Sequence, residues 1–75
     1  MNKARRKQLE ECVNKIEAAK GDLENILSDE QFAFDSMPES LQGSTRGMDS
    51  EEAIGNMEDA ISSLDDAISS IGNII

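Results

Sequence analysis

From Ala53 to the C-terminus the chain cycles through one seven-residue unit, AIGNMED AISSLDD AISSIGN II. The unit sets Ile54, Ile61, Ile68 and Ile75 seven apart, with Met57, Leu64 and Ile71 between them. Apolar residues at this spacing form the seam of a helix that requires partners. Ala53, Ala60, Ala67 and Ile74 add a third column beside that seam. Two columns suffice for a contact with one helix, whereas three suit a helix that touches two or more neighbours, and small Ala permits close approach. Gly55, Gly72 and the serine pairs Ser62–Ser63 and Ser69–Ser70 give the segment poor intrinsic helix propensity. Packing therefore has to hold it. Truncating Ile61 or Ile68 to Ala is expected to cost about 2 to 5 kcal/mol where the site is buried.

A second helical pattern fills the N-terminal half. Between Lys3 and Ser36 there is no proline, and apolar residues recur at Leu9, Cys12, Val13, Ile16, Ala19, Leu23, Ile26, Leu27, Ala33 and Phe34. At the helical rise this stretch spans roughly 50 Å, with Gly21 on the polar side at a cost of about 1 kcal/mol relative to Ala. Glu30 interrupts the seam. Because unpaired Glu is rarely buried, it reads as a residue near a frayed or splayed end rather than as a buried polar pairing device. Phe34 follows the stripe. Phe32, about 200° away around the helix, does not, and the loop carrying Met37 and Leu41 is expected to cover it. Cys12 lies on the seam, has no histidine to activate it, and reads as core packing.

Between the two patterns stands MPESLQGSTRGM, where Pro38 disfavours helix at Met37 and Gly43 and Gly47 bracket a Ser/Thr-rich stretch. Pro38 to Gln42 fits one helical turn. Asp49 and Glu52 have capping-box spacing, which places Glu51 and Glu52 in the positive first turn of the next helix. The sequence thus predicts one all-α domain over residues 1–75, with a helix over 3–36, a loop over 37–49 and a helix over 50–75. Folded back antiparallel, this long hairpin would bring Arg5, Arg6 and Lys7 to Asp65 and Asp66. A chain of this length hides only about 60 to 65 per cent of its unfolded surface, so a lone hairpin is marginal. Two hairpins joined by their broad faces would form a homo-oligomeric, dimeric four-helix bundle, with Leu9, Ile16, Leu23, Ile54, Met57, Ile61, Leu64, Ile68 and Ile71 as the seam.

The composition removes most catalytic chemistry. There is no His, Trp or Tyr, and a single cysteine. The lone cysteine cannot form an intrachain disulfide, which favours a reducing cytoplasm. No apolar run follows the basic N-terminus, so neither a signal peptide nor a membrane span is read. Carboxylates alone can bind hard cations or serve glycoside hydrolysis, but on an open helix and without calcium-loop spacing they point to neither. No enzyme, metal or cofactor is expected.

Charge is unevenly divided, with residues 1–20 at +3 and residues 21–75 at −12, which together give the −9 of the chain. That balance disfavours direct nucleic-acid binding. Three features could still bind. The pairs Glu51–Glu52, Glu58–Asp59 and Asp65–Asp66 recur about 10.5 Å apart along the second helix, either as a solvated face or as a nucleic-acid mimic. Lys3, Arg5, Arg6 and Lys7, with free helix N-terminal amides, could take an anion or nucleotide phosphate, although a basic end paired with the acidic helix accounts for them as well. Arg46, set among Ser44, Thr45 and Gln42, is the only cation after Lys20. Loops held by rigid helices often carry binding.

The opening MNKARRKQLEE, the loop MPESLQGSTRG and the ending EEAIGNMEDAISSLDDAISSI resemble a family of small acidic helical proteins of unassigned function, encoded in phages and prophages of Firmicutes-type bacteria. The resemblance covers nearly the whole chain, and its most specific part is the loop. No established active-site residues come with it. It implies a small accessory protein in the cytoplasm of an infected bacterial host, with itself and a host defence protein or a nucleotide signal as partners. The leading expectation is a non-enzymatic anti-defence binding protein. The alternatives are an oligomeric sponge for a nucleotide immune signal, using Arg46, its loop and the basic N-terminus, a mimic of nucleic acid through the acidic stripe, and a structural or regulatory assembly factor.

Overall fold

A computed structural model describes all 75 residues, and 87% of them are helical with no strand. Helix α1 spans Lys3–Asp35, α2 is the single turn Glu39–Gln42, and α3 spans Thr45–Gly72. Helices α1 and α3 pack against each other along a rod of 58 × 15 × 12 Å, with α2 against the start of α3. The chain is a long antiparallel helical hairpin.

Asn2 starts α1, its side chain accepting a hydrogen bond from the Arg5 amide at 2.8 Å. That cap satisfies one of the free amides in a first turn that carries cations and no acid. Beyond Asp35, the amide of Met37 bonds the Phe34 carbonyl, and Pro38 in extended geometry begins α2. The expected turn at Pro38–Gln42 is therefore present, with Pro38 as its cap rather than its first residue.

Helix α3 begins five residues earlier than the sequence suggests. Ser44, not Asp49, is the cap, accepting from the Gly47 amide at 3.4 Å. Gly47 is buried inside the helix, where an added Cβ would run into the Gln42 carbonyl and lie 2.6 Å from the Leu41 carbonyl oxygen. The glycine that reads as a loop breaker is thus required for close packing of α3 on the turn. As a result Asp49 and Glu52 form no capping box, and Glu51 and Glu52 lie past the first turn.

Burial is concentrated at this end. Gly47, Ser50 and Ile54 are the three buried residues, and Ile54, 7% exposed, is the one buried apolar side chain. The other seam residues, Leu9, Ile16, Leu23, Met57, Ile61, Leu64, Ile68 and Ile71, all face inward but remain half-buried. The hairpin exposes 5497 Å². A folded monomer of 8.2 kDa ordinarily exposes about 4,500 Å². The excess is about 1,000 Å².

Candidate interaction surfaces

Glu30 and Ser50 link α1 to α3 near the turn, the Ser50 hydroxyl donating to Glu30 Oε1 at 2.7 Å. Glu30 consequently stands at the most tightly packed level of the hairpin, not at a splayed end. Its carboxylate interrupts the apolar seam because a buried hydroxyl on α3 receives it. Nearby, Gln42 Nε2 donates to the carbonyls of Phe34 and Met37, at 3.2 and 3.4 Å, and ties the turn to the end of α1. Ser50 does not stand out in the sequence, and Gln42 does so only as a polar neighbour of Arg46, since the signal is a tertiary pairing.

Halfway along the rod, Lys20 Nζ lies 2.6 Å from Asp65 Oδ1. This is the cation that meets the α3 acids, in place of Arg5, Arg6 and Lys7. The hydrogen bond that the Lys20 ammonium donates to the Asp65 carboxylate raises Lys20 above its ordinary 10.5, partial desolvation opposes it, and the charges of Asp65, Glu24 and Glu17 add to the rise. Register explains the substitution. Seventeen residues of α1 precede Lys20, whereas seven of α3 follow Asp65, so α1 overhangs by about ten residues, or roughly 15 Å. Lys3, Arg5, Arg6 and Lys7 sit exposed on that overhang, and Lys3, Arg6 and Lys7 line a shallow depression with Glu10.

Arg46 is exposed, but it belongs to the first turn of α3 and not to a loop. Thr45 beside it is also helical, and Ser44 is spent as the cap, its hydroxyl donating to the Leu41 carbonyl. The basic N-terminus lies at the opposite end of the 58 Å rod. One hairpin therefore does not bring Arg46 together with Lys3, Arg5, Arg6 and Lys7.

The six acids Glu51, Glu52, Glu58, Asp59, Asp65 and Asp66 are all exposed. Glu52, Asp59 and Asp66 form the outer back of α3. Glu58 and Asp65 lie at the edge marked by Lys20, where Glu58 also lines an open groove with Glu24, Leu27, Ser28 and Gln31. No group of three acidic or cysteine side chains converges as a metal site would.

The opposite edge is apolar. Cys12, Ala19, Ile26 and Ala33, seven apart, form an exposed column on α1, with Ile26 56% exposed. At about 100° per residue they lie on the other side of the α1 seam from Lys20 and Glu24. Ala53, Ala60, Ala67 and Ile74 lie likewise on the other side of the α3 seam from Glu58 and Asp65. Ala60 and Ile74 are exposed and the other two half-buried. Because the helices are antiparallel, both columns open on one side of the hairpin. Cys12 is thus a surface residue, correcting its reading as core packing. Phe32 is 75% exposed and no loop covers it, since α2 packs on α3 and Leu41 is itself exposed.

No helix is long and apolar enough to cross a membrane. Comparison with protein-family models, curated proteins and solved structures gives no significant match.

Proposed function

We propose that this chain is a non-enzymatic binding protein that works as a homo-oligomer. The observation that carries this reading is the incomplete seam, with one apolar side chain buried and about 1,000 Å² more surface exposed than the mass requires. A hairpin in that condition gains stability by covering its apolar edge with another chain, and a dimeric four-helix bundle is the smallest closed way to do so. Assembly turns the acidic backs of α3 outward, where they form a repeated surface for a partner with basic groups. In the phage setting that the resemblance implies, such a protein acts as an anti-defence accessory factor by binding a host protein.

Two measurements test the reading. Size-exclusion light scattering at micromolar concentration is expected to return a multimer, and a monomer refutes self-assembly. Capture of a partner from a bacterial lysate is expected to fail when Glu51, Glu52, Glu58, Asp59, Asp65 and Asp66 are changed to their amides. Undiminished capture by that variant rules out the acidic back as the binding surface.

A further inference from the structure

Resting on the self-association just proposed, we infer that the occupant of the apolar edge is a second copy docked antiparallel, each basic N-terminal end lying against the acidic turn end of the other. The area fits. Removing the excess of about 1,000 Å² from each of two chains hides about 2,000 Å² in total, within the range of a stable interface. The edge is also built for close approach. Small side chains alternate with Ile26 and Ile74, and the neighbouring outward positions on α3, Asn56, Ser63 and Ser70, carry no charge.

The spacing is compatible with a two-fold axis across the rod. The α1 column is centred between Ala19 and Ile26, and the α3 column between Ala60 and Ala67. Through the Lys20–Asp65 register these midpoints fall within about one residue of each other along the rod, roughly 1.5 Å. A single axis then sets Ile26 against Ala19 of the second copy and Ile74 against Ala53, large against small in both cases. An axis along the rod also allows large-to-small contacts, so size alone does not choose.

Charge does choose. The overhang carries Lys3, Arg5, Arg6 and Lys7 before the first acid, Glu10. The turn end carries Asp35, Glu39, Asp49, Glu51 and Glu52 against Arg46 alone. An axis along the rod would place two basic ends side by side and two acidic ends side by side. The axis across it pairs opposite signs at both ends, and like-charge juxtaposition is what suppresses the wrong arrangement.

The test uses the full chain with Cys12→Ala and Ala4→Cys, a spin label at the exposed fourth position, and mass and label-to-label distance measured on the same sample. An even-numbered assembly with a distance near 55 Å, set by the helical rise from the axis to each label, is the expected result. An even-numbered assembly whose labels lie only within about 25 Å, the width of two helices, overturns the antiparallel docking and leaves self-association standing. A monomer or an odd-numbered assembly overturns the docking, and the monomer overturns self-association with it.

Discussion

The two ends of the rod are held by different physics. At the turn end, Gly47, Ser50 and Ile54 are buried, Gln42 ties α2 to α1, and Ser44 caps α3. At the far end α1 runs on alone, Ile74 and Ile75 are exposed, and nothing caps α3 with a cation. The first end is finished within one chain by small residues and polar pairing. The second has the sequence of a core, but only half of its walls. Local chemistry therefore accounts for the hairpin's turn, whereas the AI heptads are left half-covered within one chain.

Substitutions at the two ends should separate these regimes. Gly47→Leu is expected to have the largest effect, about 3 kcal/mol or more, because the side chain meets backbone carbonyls that cannot rotate away. Urea unfolding followed by far-UV circular dichroism reads it. Ile54→Ala should cost about 3 kcal/mol at any protein concentration. Ile68→Ala, at the half-buried end, should cost about 1 kcal/mol in the isolated hairpin, and more as concentration rises. Equal, concentration-independent losses at the two isoleucines would erase the contrast.

Ser50→Ala should cost about 1 to 2 kcal/mol, since it leaves the Glu30 carboxylate part-buried without its donor. Glu30→Gln in the same background should recover part of that loss. The middle of the rod responds to pH instead. The folded Lys20 value is raised, so its ion pair contributes fully below the unfolded value of 10.5 and is lost as pH rises through the higher folded value. A small decline in Tm in that alkaline window, absent in Lys20→Met, is expected, and solvent at the 52% exposed Asp65 keeps it small. Phe32→Ser should change hairpin stability by no more than about 0.5 kcal/mol.

The same contrast explains what could be read from sequence. Periodicity is local, so α1 ends within one residue of its expected limit, and all nine seam positions face inward. The start of α3 was hidden because glycine ordinarily breaks helices, and only the approach of Leu41 and Gln42 shows why Gly47 belongs inside one. The partners of Glu30 and Lys20 were hidden for another reason. They depend on register, which the three-element turn sets and no heptad count contains. Cys12 and Ala60 share the spacing of core residues, yet stay exposed because a two-helix contact covers only the columns nearest its axis. Their spacing was nevertheless the available signal for the apolar edge. In the binding surfaces, residue type was legible and grouping was not, so Arg46 and the basic N-terminus, similar in chemistry, stand at opposite ends.

The overhang of α1 has a kinetic meaning as well. Its first turns carry few tertiary contacts, so their amides exchange with solvent from a frayed helix, while those around Ile54 exchange only when the hairpin opens. Protection should fall steadily along the rod from turn to tip. The tip is also where the second chain of the proposed antiparallel dimer would dock. Ordering of the last turns and encounter with a partner then become one event, and deuterium uptake at residues 3–10 would report occupancy without any added probe.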